Sequence, residues 1–218
     1  IAFQYDEEWI SKGFSISPFS LPLSNEIYMN GKNTFDGLYG VFNDSLPDGW
    51  GYLLMARRLA KENIDYERLD SLTKLSLVGR NGLGALTYEP SQSFKEECEF
   101  DLDFLSEEAN KILNSEENSC GLDALFLLGG SSGGSRPKAH VMYDNEEWIV
   151  KFPCRFDPRE IGKKEYEVNL LAKKCDINVN ECKLFPFLHI LIHQILLLVF
   201  LSFLFLLFVS YVLLVSFP

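Results

Sequence analysis

A glycine-rich segment, GGSSGGSRPK, runs from Gly129 to Lys138 and is the clearest candidate for chemistry in the sequence. Its four glycines allow backbone amides to turn toward an anion, and Arg136 and Lys138 add positive charge beside them. Such a loop suits the phosphates of a nucleotide, although a glycine and serine run is also typical of a plain surface loop. The segment lacks the closing GK[ST] of a Walker loop, so it predicts a phosphate site of another kind.

Two charged residues downstream strengthen this interpretation. Lys151 follows the loop by about a dozen residues, and Glu165 follows Lys151 by about a dozen more. A glycine loop, a strand lysine and a helix carboxylate, in this order, are the parts with which protein kinases hold the phosphates of ATP. Each charge taken singly could equally be a solvated surface residue. The order of the three features favours a nucleotide site.

The elements that must position these residues are predicted from the spacing of apolar side chains. Two strands joined near Asn145 should place Trp148, Val150 and Phe152 on one face and Lys151 on the other. The following segment predicts a helix that carries its carboxylate on the apolar edge. Upstream of the loop, a further helix is predicted over residues 101–113. The lysine and the carboxylate are therefore expected on a strand and on a neighbouring helix.

The first part of the chain predicts a small sheet followed by a helix. Residues 1–42 contain short apolar and aromatic runs separated by turn formers, which predicts strands with a hairpin turn at Asn30–Gly31. A helix is predicted from about Pro47, with Asp44 or Ser45 as its N-cap. Together with the later elements, this pattern indicates a mixed α and β protein.

Charge and cysteine usage limit the function classes. The formal net charge is -11 and the pI is about 4.8, which argues against direct binding of nucleic acid or anionic lipid surfaces. The five cysteines are odd in number and show no CxxC pair. We therefore expect reduced thiols, a cytoplasmic protein and no cysteine metal site.

The end of the sequence differs in composition from the rest. From Leu184 to Pro218 there is no formally charged side chain. This stretch exceeds the roughly 20 apolar residues that cross a bilayer. It predicts an apolar helical tail, which is either a membrane anchor over residues 187–217 or the product of a shifted reading frame. If the tail is a membrane anchor, we expect it to provide the only contact of the protein with a membrane.

Six segments, in this order, resemble the HipA family of serine/threonine kinase toxins from bacterial type II toxin–antitoxin modules: FQYDEEWI, ISPFSLPLS, FNDSLPDGWGYLLMARRLA, LSLVGRNGLGALTYEP, LLGGSSGGSRPKAHV and WIVKFP. The resemblance covers residues 1 to about 183. It implies an α+β fold with a small N-terminal α/β subdomain and its linker at 1–118. A partial kinase N-lobe would follow at 119–183, and the apolar helical tail would occupy 184–218.

The resemblance also implies roles for individual residues. The ATP loop would contain Ser131, Ser132, Gly133, Gly134, Ser135 and Lys138. Ser131, or alternatively its neighbour Ser132, would stand at the position of the family's inhibitory autophosphorylated serine. Lys151 would contact the α- and β-phosphates of ATP, and Glu165 would be its ion-pair partner.

Cofactors and partners follow from the same resemblance. It implies ATP and Mg²⁺ as cofactors, a HipB-like DNA-binding antitoxin as partner, and a protein substrate such as an aminoacyl-tRNA synthetase. The aspartates that catalyse transfer and hold magnesium in such kinases come from the C-terminal lobe. This sequence has no Asp after Asp176 and no acidic residue after Glu181, so it offers no catalytic or metal-binding candidate.

Three hypotheses about function remain open at this point. The first is a HipA-like kinase toxin that is truncated or frameshifted and inactive as this chain alone. The second is a stand-alone N-terminal binding fragment that regulates a full kinase or an antitoxin. The third is a single-span membrane protein with a cytoplasmic nucleotide-binding domain. Nothing in the residues identifies the phosphorylated target, the antitoxin or the oligomeric state.

Overall fold

The fold is mixed α and β, which confirms the predicted α+β class. The chain divides into two compact units, residues 1–97 with 130–134 and residues 98–129 with 135–218. The computed structural model describes residues 1–31, 34–82, 84–92, 101–115, 121–130, 132–143, 145–154, 157–158, 160–185 and 190–194.

The first unit consists mainly of short helices. Its two strands, β1 (Ala2–Phe3) and β2 (Tyr28–Met29), pair antiparallel. Single 3₁₀ turns occur at Thr34–Gly37 and Tyr66–Arg68. The α-helices are α1 (Glu7–Lys12), α2 (Gly40–Asn43), α3 (Gly49–Ala60) and α4 (Ser71–Val78).

The core of the first unit lies on the apolar faces of α3 and α4. Trp50 and Leu54 of α3 and Leu75 and Val78 of α4 are buried. Each such side chain stabilises the fold by roughly 1.5 to 3 kcal/mol when it leaves water. Asp70 caps α4, because its carboxylate accepts hydrogen bonds from the backbone amides of the first turn. The helix that was expected from about Pro47 is confirmed as α3.

The predicted strands of residues 1–42 are only partly present. Asp6 accepts a hydrogen bond from the amide of Glu8 and caps a helix, so the DEEWI segment is helical rather than extended. The hairpin predicted at Asn30–Gly31 is wrong, because β2 pairs with β1 at the start of the chain. The Asn30 side chain instead donates to the backbone oxygens of Gly37 and Leu38.

The second unit is built around a four-stranded antiparallel sheet. The strands are β3 (Lys138–Tyr143), β4 (Glu146–Lys151), β5 (Cys182–Phe185) and β6 (Ile190–Gln194), in the order β3-β4-β6-β5. The helices are α5 (Leu102–Leu113), α6 (Leu122–Gly129) and α7 (Ile161–Lys174). The helices expected over residues 101–113 and around Glu165 are therefore present.

The β3–β4 hairpin follows the predicted alternation. Trp148, Val150 and Phe152 are at most 2% exposed, whereas Lys151 between them is half-buried. Ala139 lies directly opposite Val150 in the register and is also buried. The apolar face of the hairpin thus belongs to the core, and Lys151 points to the other face because successive side chains alternate along a strand.

The apolar end of the chain does not begin as a helix. Residues of the segment predicted as a helical tail form the end of β5 and all of β6, which pairs with both β4 and β5. Strand pairing prevails here because it satisfies backbone groups along β4. The rest of the predicted tail, residues 186–189 and 195–218, lies outside the described residues. Within the described part of the chain, no helix has both the length and the apolar character needed to cross a bilayer.

Candidate functional site

The first half of the glycine-rich segment is attached to the beginning of α3. The amide of Trp50 donates a hydrogen bond to the backbone oxygen of Gly134 over 2.8 Å. The amide of Gly134 in turn donates to the Oδ1 atom of Asp48 over 2.6 Å. Gly134 has φ near +82°, a conformation that glycine adopts without strain. The two bonds fix this turn of the loop to the first unit.

Gly51 allows the loop to lie directly on the helix. A Cβ atom at this position would be 2.6 Å from the backbone oxygen of Ser132 and 2.8 Å from that of Gly130. Both distances are far below van der Waals contact, so no larger residue fits without displacing the loop. Ser132 is only 3% exposed in this arrangement.

The contact also explains why the predicted cap of α3 is wrong. Asp48, rather than Asp44 or Ser45, occupies the N-cap position, and its side chain makes no capping hydrogen bond to its own helix. Its carboxylate instead binds Gly134, a residue distant in sequence. Ser45 is engaged elsewhere, because its hydroxyl accepts a hydrogen bond from Tyr88.

The predicted loop residues differ in accessibility. Ser131 lies outside the described residues, and Ser132 is buried. Gly133, Gly134 and Ser135 are exposed. The Ser132 side chain is shielded from solvent in this arrangement. Asp48, Trp50 and Gly51, which hold the loop, are functional candidates that the sequence analysis missed; the LPDGWG segment was the only local signal.

The second half of the segment leads into the sheet of the second unit. Arg136 forms an ion pair with Asp157 over 2.8 Å, and Asp157 also accepts a hydrogen bond from the amide of Cys154. The positive charge of Arg136, which the sequence suggested for an anion, is therefore used to fix the turn after β4. This pairing was not foreseen, since nothing in the local pattern marks Asp157.

Lys138 and Lys151 occupy directly opposed positions on β3 and β4. Directly opposed residues of an antiparallel pair project from the same face of the sheet, so both lysines are on one face. Two like charges in this arrangement destabilise a sheet unless negative charge lies close by. The position therefore favours an anion near the two ammonium groups.

Glu165 supplies one such negative charge. Its Oε1 atom forms an ion pair and hydrogen bond with Nζ of Lys151, so the structure brings these two predicted residues together. The side chains are 35% and 32% exposed for Lys151 and Glu165 respectively. A partly exposed pair of this kind stabilises a fold by only about 0 to 1 kcal/mol. The pair is thus better suited to orienting the lysine than to holding the unit together.

His140 lies on β3 two residues after Lys138. Burial lowers its pKa to about 4, with a smaller contribution to that value from the nearby positive charge of Lys138. Its Nδ1 atom is buried without a hydrogen-bond partner. The imidazole is consequently neutral at physiological pH, and its place in the strand is structural.

The residues near Lys151 suit phosphate and magnesium, the implied cofactor groups, to different degrees. Lys138 and Lys151, on one face of the sheet, suit the oxygens of a phosphate chain. Magnesium requires oxygen ligands, chiefly carboxylates. In the described part of the chain, no group of three or more His, Cys, Asp or Glu side chains could hold a metal.

Comparison with known proteins gives one family match. Residues 1–89 match the family model described as the HipA N-terminal domain. No curated protein and no solved structure matches the chain. The matched region includes α1 to α4, and with them the three residues that hold the glycine turn, Asp48, Trp50 and Gly51. It ends before the glycine-rich segment itself.

Proposed function

Because this chain is a HipA-family protein, identified by the N-terminal domain at residues 1–89, we propose that it belongs to a HipA-like serine/threonine kinase toxin and binds the phosphates of ATP. The observation that carries the proposal is the ion pair between Lys151 and Glu165 beside the opposed Lys138. Protein kinases use a strand lysine held by a helix carboxylate in this way.

Each residue has a distinct part in the proposed binding. The ammonium of Lys151 binds the α- and β-phosphate oxygens through charge-assisted hydrogen bonds, and Glu165 keeps that ammonium in position. Lys138 adds a second positive charge on the same face of the sheet. Ser135, in the same unit as the two lysines, supplies a hydrogen-bond donor, as the resemblance implies. Ser131 or Ser132 is the proposed autophosphorylation site.

The proposal concerns nucleotide binding rather than the chemical step. When bound, Mg²⁺ neutralises charge on the phosphates in such kinases. Among the described residues, no group of three or more His, Cys, Asp or Glu side chains could hold it.

The family assignment supports further proposals about partners and location. A HipB-like antitoxin is the proposed partner, and a protein such as an aminoacyl-tRNA synthetase is the proposed substrate class of the complete kinase. The proposed location is the cytoplasm. These proposals rest on the family of the N-terminal domain.

A second candidate function follows from the extent of the family match, which is confined to the N-terminal domain. In this alternative, the chain is a binding fragment that regulates a separate kinase or an antitoxin. Co-purification of the full chain with proteins encoded by adjacent genes tests the alternative. A stable complex combined with absent ATP binding would favour it over the nucleotide-binding proposal.

Equilibrium dialysis of the full chain with labelled ATP tests the main proposal. We expect saturable binding that weakens at least tenfold in Lys151→Met, because the variant loses a charged phosphate contact worth about 1.5 to 3 kcal/mol. The matched control is Lys163→Met, since Lys163 lies on α7 with a side chain 50% exposed and only long ion pairs to Glu160 and Glu167. Equal affinities of the wild type and Lys151→Met would overturn the proposal.

A further inference from the structure

A cavity of about 410 Å³ opens within the first unit. Its volume lies in the range of small-molecule binding sites. Its polar lining includes Asp44, Asp48, Tyr52, Tyr66, Glu67 and Lys74. Lys74 and Tyr66 are buried donors, whereas Asp44, Asp48 and Glu67 are exposed carboxylates.

Lys74 is the least expected member of the cavity wall. Its side chain projects from α4, and the residue is only 9% exposed. Its ammonium lies 4.9 Å from the centre of the Tyr66 ring, and no described carboxylate forms an ion pair with it. A buried ammonium without a counter-ion is costly, and a cation–π contact offsets only part of that cost. The position therefore indicates an anionic group that reaches Lys74 from the cavity.

Tyr66 adds a second donor beside this ammonium. The residue is 5% exposed, and burial raises its pKa to about 12. Its hydroxyl is therefore protonated at physiological pH, and no described residue makes a hydrogen bond to it. A carboxylate with two oxygens suits a neighbouring ammonium and phenol, because each donor then binds one oxygen.

The cavity wall also carries three carboxylates. Asp44, Asp48 and Glu67 are exposed. Asp48 already binds the amide of Gly134, and Glu67 accepts a hydrogen bond from the Tyr52 hydroxyl. These three carboxylates face only one lysine, so a purely anionic ligand would be repelled. A purely cationic ligand would leave Lys74 without a counter-ion.

We propose that this cavity binds a basic amino acid, with the ligand carboxylate on Lys74 and Tyr66 and its cationic side chain near Asp44 and Glu67. A basic amino acid carries one negative and two positive charges, which complements the single lysine and the three carboxylates. Gly133 of the glycine-rich segment also lines the cavity. The side chains that would bind the amino acid are not among those proposed for ATP phosphates, so arginine binding and ATP binding are tested separately.

Isothermal titration of the full chain with L-arginine tests this proposal, with L-argininamide and inorganic phosphate as comparison ligands. Argininamide retains the positive charges of arginine and lacks its carboxylate, whereas phosphate offers only negative charge. We expect saturable binding of arginine and at least tenfold weaker binding of both comparison ligands. Failure of arginine to bind, or equal binding of argininamide or phosphate, would overturn the proposal.

Variants locate the binding within the cavity. Lys74→Met preserves the length of the side chain and should weaken arginine binding at least tenfold, whereas Tyr66→Phe should weaken it several-fold. The control is Lys12→Met, since Lys12 is 52% exposed on α1 and does not line the cavity. Thermal unfolding reports whether each variant folds. If Lys74→Met does not fold, Tyr66→Phe decides, and unchanged arginine affinity in that variant contradicts the proposal.

Discussion

The two units each use a carboxylate to hold a distant glycine amide, but in different environments. In the second unit, Oε2 of Glu108 accepts a hydrogen bond from Gly121 over 2.8 Å, and Glu108 is only 1% exposed. In the first unit, Oδ1 of Asp48 accepts a hydrogen bond from Gly134 over 2.6 Å, and Asp48 is exposed to solvent. The chemistry of the two bonds is the same, whereas their surroundings are opposite.

This difference indicates different functions for the two bonds. A buried carboxylate is tolerated only when its hydrogen bonds are satisfied, and Glu108 also pairs with Lys111 over 2.6 Å. Removing the Glu108 carboxylate would leave the Gly121 amide without a hydrogen-bond acceptor in the buried interior. Water or a ligand can replace the carboxylate of Asp48 at much lower cost, since that bond is already in solvent. The Glu108 bond is therefore structural, and the Asp48 bond is exchangeable.

The largest expected effect comes from removing the buried carboxylate. We expect Glu108→Ala to lower the free energy of unfolding by about 3 kcal/mol, because it leaves the Gly121 amide unsatisfied and creates a cavity. Urea denaturation measures the loss. Glu107→Ala, on the exposed side of the same helix, is the control and should change stability by less than about 0.5 kcal/mol. Equal effects of the two substitutions would contradict the structural role.

The stabilities of the two units should also respond differently to acid. The unfolded chain takes up a proton on His140 near its ordinary pKa of 6.5, whereas the folded chain does so only near 4. The free energy of unfolding of the second unit should therefore fall between about pH 6.5 and pH 4, by at most about 3 kcal/mol. Denaturation at a series of pH values measures this slope.

The first unit should respond at lower pH. The hydroxyl of Thr73 lowers the pKa of Asp70, and Arg80 lowers the pKa of Glu89. Their contributions are complete above the ordinary values of 3.8 and 4.5 and decline only below them. The substitution His140→Gln should abolish the pH dependence of the free energy of unfolding above pH 4.5 and leave the dependence below pH 4.5 unchanged. A slope that persists in His140→Gln would show that another group titrates in the second unit.

A smaller effect is expected where the loop rests on α3. Gly51→Ala places a methyl group against two backbone oxygens, so we expect a loss of about 1 to 3 kcal/mol together with displacement of the loop. Hydrogen exchange should become faster at the Gly134 amide. Gly84→Ala is the matched control, because a Cβ atom there meets nothing within 4 Å. Unchanged exchange at Gly134 in Gly51→Ala would refute the close contact.

The smallest effect is expected from the exposed carboxylate itself. Asp48→Ala should lower stability by about 1 kcal/mol or less, because the Gly134 amide then binds water instead. Exchange should accelerate at Gly134 and remain slow at Gly121. Asp48→Asn retains an acceptor oxygen and should lie between the wild type and Asp48→Ala. A loss as large as that of Glu108→Ala would remove the distinction between the two bonds.

The features that sequence predicts well here depend on local periodicity. The β3–β4 hairpin shows a strict alternation around Trp148 and Val150, and the helix around Glu165 has a clear apolar spacing. Lys151 and Glu165 meet because their elements are neighbours in the chain and pack in the same unit. The α+β class follows from the same patterns.

Features that depend on distant partners were not predictable in the same way. Asp48 has no local sign that it binds Gly134 rather than its own helix, and Arg136 has none that it pairs with Asp157. The apolar residues of β6 are compatible with a helix by composition, and only the position beside β4 makes them a strand. Such choices are decided by tertiary pairing.

The most direct test of the nucleotide proposal is chemical-shift mapping of the ¹⁵N-labelled full chain during titration with ATP. The account predicts saturable shifts at the amides of Ser135, Lys138, Lys151 and Glu165, and their loss in Lys151→Met with no loss in Lys163→Met. Shifts that are absent at these positions, or that remain unchanged in Lys151→Met, would contradict it.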